Sequence, residues 1–277
     1  MEPIVSIVMP TYNAENTIDR ALNSVFIQSF KDYELIVVDD CSTDDTIYNI
    51  NLWKNIFKEK IKIYSTKNQS GTPVLPRNIG CIKAIGKYIA FLDADDFWYL
   101  NKLQYQINYM EKYGLYFTYH NMRVKNKDHY ILWNDMSTCH AGYVSNELIL
   151  KNFIPTSSVI LRRRIYEKFG GMISLLKISH DWELWLRISR KYQIHYISKL
   201  LGTLCLQENS VITKVHNRRV ESRKVVRMNK YYSHPKIYRK ALLYYYIIEL
   251  FDIIPNFLKK FIRDLWYNRK GNRWNIK

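Results

Sequence analysis

Short apolar runs alternate with longer amphipathic stretches through the first hundred residues. Val5-Ser6-Ile7-Val8-Met9, Glu34-Leu35-Ile36-Val37-Val38, Ile61-Lys62-Ile63-Tyr64 and Tyr88-Ile89-Ala90-Phe91-Leu92 are β-rich and nearly continuous in apolar character. That is the pattern of strands covered on both faces of a parallel sheet. Pro10 is expected to stop the first strand. Ile18, Leu22, Val25 and Phe26 recur on one helical face over about residues 14–29, with Asn13 as the cap. Ile47, Ile50 and Trp53 do the same after the turn-forming segment 41–46. A third helix near 77–85 is expected to end at Gly86. The strand–helix alternation implies right-handed crossovers and a doubly wound parallel sheet.

Beyond Trp98 the pattern loosens. A helix is expected over 99–113, strands over 115–124 and 129–133, a short helix over 146–152 and a strand over 156–161. A helix over 162–169 stops at Gly170-Gly171, a Trp-rich helix covers 181–191, and 194–206 is strand-like. No repeat or low-complexity linker divides the chain. The expectation is an α/β fold, one mixed sheet flanked by helices, with halves 1–97 and 98–206 and a C-terminal extension over 207–277.

Composition changes this picture mainly at the extension. The 277 residues carry a net charge of +17, yet 207–277 hold 17 of the 42 Lys/Arg and only 5 of the 25 Asp/Glu. Basic groups there interleave with Tyr, Leu and Ile, as in Ala241-Leu242-Leu243-Tyr244-Tyr245-Tyr246-Ile247-Ile248, and Lys259-Lys260 continue the pattern. A segment of this kind suits an anionic membrane surface; a helical extension packing its Tyr and Leu back on the core is the alternative reading. Nucleic acid is disfavoured, because no RNP, zinc or helix-turn-helix signature accompanies the charge. Cys41, Cys81, Cys139 and Cys205 have no metal-type spacing and read as reduced thiols of a cytosolic protein. Met1-Glu2-Pro3 leads straight into a strand, as expected without a signal peptide. No stretch reaches the roughly 18–20 apolar residues needed to span a bilayer.

Acids cluster where strands end. Asp39-Asp40 follow the second strand and Asp93-Ala94-Asp95-Asp96 the fourth. In a parallel sheet these ends share one edge with Thr11-Tyr12, the edge at which open α/β sheets bind ligands. Three carboxylates within four positions repel one another, so a hard divalent cation such as Mg²⁺ or Mn²⁺ is the natural partner. A solvated, helix-capping turn is the competing reading for any one cluster. Convergence of three polar clusters on one edge favours a site.

Ser6-Ile7-Val8-Met9-Pro10-Thr11-Tyr12-Asn13, Asp39-Asp40, Arg77-Asn78-Ile79-Gly80, Asp93-Ala94-Asp95 and Asp181 within His180-Asp181-Trp182-Glu183-Leu184-Trp185-Leu186 form an ordered set over about residues 4–206. The set resembles the family 2 glycosyltransferases of GT-A-type, Rossmann-like fold. The resemblance implies inverting transfer of a sugar from a nucleotide-diphosphate sugar, UDP-linked, to a glycan or lipid-linked acceptor. The setting it implies is bacterial surface polysaccharide synthesis at the cytoplasmic membrane face. Asp40, with Asp39 beside it, would read the base; Pro10, Thr11 and Tyr12 would wall it, with the Tyr12 ring either stacked or merely packed. Asp93, Ala94 and Asp95 match the DXD motif, with Asp95 and Asp93, and less directly Asp96, as ligands of Mn²⁺ or Mg²⁺. Arg77 would meet the donor or the aspartates, unless it is a solvated helix arginine.

Asp181 matches the base that takes the acceptor's proton, with a simple helix cap as the alternative and Glu183 as second choice. Members often place an acid directly before this Asp, where His180 stands here. Trp182 and Trp185 would line the acceptor site or pack in the core. Two rivals differ in their needs. A nucleotidylyltransferase normally carries a Gly-rich, basic loop after the first strand, which Pro10-Thr11-Tyr12-Asn13-Ala14 lacks. A non-catalytic carbohydrate-binding or membrane-scaffold protein on the same fold would not require intact aspartates.

Overall fold

The four apolar runs form β1 (Val5–Thr11), β2 (Tyr33–Asp39), β3 (Ile61–Ser65) and β4 (Tyr88–Phe91), linked by α1 (Ile18–Phe26), α2 (Thr46–Phe57) and α3 (Val74–Lys83). The structure is a computed structural model that describes residues 2–126, 129–133, 139–206 and 215–253. After β4 come β5 (Phe97–Trp98), α4 (Lys102–Tyr113), β6 (Phe117–Asn126), β7 (His129–Leu132), α5 (Ser145–Leu148), β8 (Ile160–Arg162), α6 (Arg163–Lys168), α7 (His180–Ser189), β9 (His195–Cys205), α8 (Val215–Met228) and α9 (Pro235–Ile253). Among the described residues nine strands make one sheet in the order β3-β2-β1-β4-β8-β6-β9-β5, with β7 paired to β6. The first four strands are parallel. β8 then runs antiparallel to both β4 and β6, β9 is parallel to β6, and β5 is antiparallel to β9. The expected mixed α/β sheet is what the chain builds.

The pleat divides the apolar residues between two cores. Ile7, Met9, Leu35, Val37 and Ala90 face a cluster with Ile18, Leu22 and Val25 of α1 and Leu103 and Ile107 of α4. Val8, Ile36, Val38, Ile89 and Phe91 face the other, with Trp182, Leu184 and Trp185 of α7. Both faces are thus buried, which is why these strands are apolar without alternation.

Four expectations are corrected. β1 does not stop at Pro10 but runs to Thr11 in register with β2. Val8 O accepts from Leu92 N–H on the β4 side, and Thr11 O from Asp40 N–H on the β2 side. Alternation therefore turns the Pro10 nitrogen toward β4, past the last β1–β4 pair, Val8 with Phe91, so no ladder bond is lost. Helix α1 starts at Ile18 rather than 14, because Asn13 is not its cap: Asn13 has a φ of 45° and its Oδ1 accepts the Thr43 N–H at 2.8 Å. Residues 156–158 form a 3₁₀ turn, leaving β8 only three residues. Gly86 does not cap α3, which ends at Lys83; it is there for close approach, since a Cβ would lie 2.7 Å from the Ser6 nitrogen.

The described part of the extension packs on the molecule. Val225 and Val226 of α8 and Ala241 and Tyr245 of α9 join the Trp182 cluster, and the Tyr245 and Trp182 rings lie 5.8 Å apart. Lys236, Arg239, Lys240, Leu243, Tyr244 and Ile247 face solvent. Residues 207–214 and 254–277, including Lys259-Lys260, lie outside the described residues. Among those described, no helix is long and apolar enough to cross a membrane. Among the described residues the four cysteines form no disulfide.

Gly86 N–H donates to Ser6 Oγ, which donates in turn to Glu34 Oε1, so the 85–87 turn is locked on β1. Gly86→Ala is expected to destabilise the fold by about 1–3 kcal/mol, the usual cost of overpacking. Urea unfolding measures it, and an unchanged midpoint would refute the close-approach explanation.

Candidate active site

Parallel pairing places the ends of β1, β2 and β4 on one edge, and the β1–β2 register sets Thr11 directly beside Asp39. The chain then turns after β4, with Asp96 N–H donating to Asp93 O at 3.0 Å. Ser157 braces this turn twice: its Oγ accepts the Asp93 N–H at 3.1 Å and donates to Asp96 Oδ2 at 2.5 Å. The Cys205 N–H donates to Asp96 Oδ1 at 2.9 Å, and Arg20 Nη2 donates to Asp95 O at 2.7 Å. Asp93, Asp95 and Asp96 each offer a carboxylate oxygen within 4.8 Å of the others.

Their environments differ. Asp96 is buried with both oxygens engaged, so it braces the turn. Asp93 and Asp95 are half-buried. Burial, then the neighbouring Asp93 charge, pushes the Asp95 carboxyl up to about 7. Burial and the other two acids raise Asp96 well above the usual carboxylate range. Hard oxygen donors gathered this closely, two of them with carboxyls raised by burial first and by their acidic neighbours second, fit a divalent cation, with Asp95 and Asp93 available to hold it.

Arg77 connects this cluster to a distant part of the chain. It is buried in α3, Nη2 pairing with Asp93 Oδ1 and Nη1 with His180 Nε2; it is not a solvated helix arginine. An Arg N–H only donates, so His180 must accept at Nε2, as a neutral ring does. Burial, then Arg77, depresses the His180 pKa well below its ordinary value, consistent with that role. The next residue, Asp181, accepts from Thr156 Oγ1 at 2.7 Å through Oδ2 and from Trp182 N–H at 2.6 Å through Oδ1. Burial raises its pKa, while Thr156 and Arg77 pull it down and Asp93 adds to the rise. Asp181 and Asp93 are therefore within electrostatic reach of each other, with Arg77 between them in charge.

The other candidates are placed as follows. Asp39 accepts from Ser42 N–H at 2.9 Å and Ser42 Oγ at 2.5 Å. Asp40 accepts from Thr66 Oγ1, Ser70 N–H, Ser70 Oγ and Gly71 N–H. Asp39 thus binds the loop after β2 and Asp40 the loop after β3. Tyr12 is 43% exposed, and the buried Thr11 Oγ1 has no hydrogen-bond partner among the described residues. Pro10 lies in β1, and Ala94 packs in the α1-side core. Both Glu183 oxygens take Arg187 Nε, at 2.8 and 2.9 Å, which removes Glu183 from consideration as a base. Trp182 and Trp185 are core residues, Trp185 edge-on to Phe117 at 5.0 Å.

Thr156, Ser157 and Arg20 were not foreseen. Pro155 followed by Thr156-Ser157-Ser158 carried a legible signal, since proline plus a run of hydroxyl residues is turn chemistry rather than strand chemistry. Arg20 carried none, because its target is a backbone carbonyl 75 positions away.

A carboxyl raised in the folded state from 3.8 to about 7 binds a proton that the unfolded chain has lost, so between those values stability falls as pH rises. In EDTA, the unfolding free energy of the wild type should lose more than that of Asp95→Asn as pH rises from about 4 to about 7, and Mn²⁺ should remove the difference. Parallel pH curves for the two proteins would show that Asp95 is not held protonated.

Comparison with known proteins follows the same lines. The family model for Glycosyl transferase family 2 matches residues 6–170. The Escherichia coli UDP-Glc:alpha-D-GlcNAc-diphosphoundecaprenol beta-1,3-glucosyltransferase WfgD is 33% identical over 202 residues, 73% of this chain and 75% of that protein. The chain spans only about a third of two longer relatives, uncharacterized glycosyltransferases of Rickettsia felis and Rickettsia conorii, which are 31% and 32% identical to it over 72% of this chain and 32% of each of them. The crystal structure of S. aureus TarS 1-349 in complex with UDP-GlcNAc superposes with a TM-score of 0.70 at 20% identity, covering 88% of this chain and 71% of that one. The mannosyltransferase PcManGT from Pyrobaculum calidifontis, in complex with GDP-Man and Mn2+, gives 0.67 at 16% identity, covering 87% and 68%. Shared sheet and matched sequence together place this chain in the family 2 glycosyltransferases, on the GT-A-type fold.

Proposed function

We propose that the chain is a metal-dependent, inverting glycosyltransferase that moves a sugar from a nucleotide-diphosphate sugar, UDP-linked, to a glycan or lipid-linked acceptor of a bacterial surface polysaccharide. The observation that carries the reading is the Arg77 bridge, which joins the Asp93 carboxylate, beside Asp95, to His180 at the helix start bearing Asp181. A leaving diphosphate and an attacking hydroxyl need an acid-rich cation site and a base within one crevice, and this bridge holds both. The diphosphoundecaprenol-linked acceptor in WfgD's name supports a lipid-linked acceptor here.

In this reading the acceptor oxygen bonds to the anomeric carbon as the bond from that carbon to the β-phosphate oxygen breaks. The acceptor proton passes to Asp181, whose raised pKa makes it a stronger base than an exposed carboxylate. Asp95 and Asp93 would hold Mn²⁺ or Mg²⁺, which supplies Lewis-acid neutralisation of the departing diphosphate. Arg77 pairs with Asp93 and orients it. Tyr12 offers an exposed ring to the nucleobase beside Pro10 and Thr11. Asp40, with Asp39 beside it, would read the base, while the bonds that both carboxylates take from Ser42, Thr66, Ser70 and Gly71 fix the loops around the pocket. Residues 1–97 then form the donor half and 98–206 the acceptor half of one sheet.

The outward face of α9 pairs Lys236, Arg239 and Lys240 with Leu243, Tyr244 and Ile247. This combination suits peripheral contact with the anionic inner face of the cytoplasmic membrane. Deleting 207–277 would also strip buried Val225, Val226 and Tyr245 from the core, so surface substitutions give the cleaner test. Changing Lys236, Arg239 and Lys240 to Gln should weaken retention on vesicles containing anionic lipid, each charge contributing about 1 kcal/mol. Equal retention would remove the membrane assignment.

Donor hydrolysis screened across nucleotide sugars with Mn²⁺ should single out a UDP-sugar, and a scaffold would instead show no metal-dependent nucleotide binding. Asp181→Asn should lower transfer by about 10²–10⁴-fold with UDP affinity retained, whereas lost UDP affinity would refute its role as base. Asp95→Asn should abolish Mn²⁺-dependent donor binding; undiminished Mn²⁺ stimulation would count against it.

A further inference from the structure

Glu221 belongs to α8, beyond the residues matched by the family model, and is 6% exposed. Its carboxylate faces the chain entering α7. Oε1 accepts the Lys177 N–H at 3.0 Å, and Oε2 accepts the Ile178 N–H at 2.7 Å and the Ser179 N–H at 3.3 Å. These are the three residues immediately before His180 and Asp181. Ser179, at the cap position of α7, makes no side-chain cap hydrogen bond. The three amides belong to the segment entering the helix, and a carboxylate placed there also faces the positive end of the helix macrodipole. Here that carboxylate comes from another helix.

The segment depends on this support. Residues 170–179 contain no helix or strand, Gly170 and Gly171 both have positive φ, and Leu175 is 70% exposed. Asn78 holds Met172 through both its backbone groups, and Leu176 is buried, but both anchors lie upstream of the three amides.

We propose that Glu221 is a positioning residue for sugar transfer: by clamping the 177–179 backbone it sets the angle at which α7 presents His180 to Arg77 and Asp181 to the acceptor. The proposal rests on the reading of Asp181 as base. It makes the C-terminal extension part of the active-site architecture. Charge-assisted bonds to three consecutive amides fix a backbone far more tightly than packing alone. Small misplacement of a base is costly in rate without altering how the donor binds.

The test uses the full chain with Glu221→Ala and Glu221→Gln. In Glu221→Ala, kcat should fall by about 10- to 100-fold while donor KM and Mn²⁺-dependent UDP binding stay within about twofold. Amide hydrogen exchange over 177–183 should accelerate. Glu221→Gln keeps one acceptor oxygen and should fall between this variant and the wild type, and it carries the same test should Glu221→Ala fail to fold. The proposal is overturned if kcat is unchanged in both variants, if the loss appears in donor KM instead, or if exchange over 177–183 stays slow. Failure of the base assignment registers separately, as full turnover by Asp181→Asn in a chain whose Glu221 is intact.

Discussion

Asp93, Asp95 and Asp96 are held close together where the sheet shields them from water, and their repulsion shapes everything around them. Part of it is relieved within the protein. Arg77, itself buried, pairs with Asp93, and the Ser157 hydroxyl and Cys205 amide bind Asp96. Asp95 gains only its own backbone hydrogen bond and the more distant charges of Arg77 and Arg20, and these leave its carboxyl near 7. A cluster left short of positive charge at the mouth of a sheet is electrostatically prepared for a cation and a diphosphate. The same Arg77 makes His180 a neutral acceptor and lowers the cost of an ionised Asp181, so one guanidinium, 103 positions before His180, serves both the end of β4 and the start of α7.

The support for these groups comes mostly from the second half of the chain. Thr156 and Ser157 occupy a 3₁₀ turn just before β8, and each hydroxyl holds a different part of the site, Asp181 in one case and the Asp93–Asp96 turn in the other. The turn can do this because β8 runs antiparallel beside β4, which brings its entry to the edge where β4 ends. The Cys205 amide arrives by the same logic from the end of β9, parallel to β6. Precision in the site is therefore a property of the mixed region of the sheet, although the acids themselves sit on its parallel region.

Much of the parallel region was legible from the chain. Four continuous apolar runs can only be strands buried on both faces, and with helices between them the parallel order and the shared edge follow. Asp39-Asp40, Asp93-Ala94-Asp95 and Asp181 in their order carried the family resemblance, and the family was borne out. Local errors had local causes. Pro10 continues its strand because its nitrogen faces a side with no partner, and Asn13 spends its side chain on Thr43 rather than on α1.

By itself the sequence determined the four parallel strands, where the acids lie along them, and hence that those strand ends meet on one edge, because alternation and buried pattern are local and periodic. What only the tertiary structure decided was each side chain's partner. Arg77 proved a buried bridge, Glu183 a structural clamp, Asp40 a loop anchor, and Glu221 a clamp on the segment that leads into α7. Those outcomes depend on which donors arrive from distant segments once the sheet has closed, and no pattern along the chain encodes that arrival.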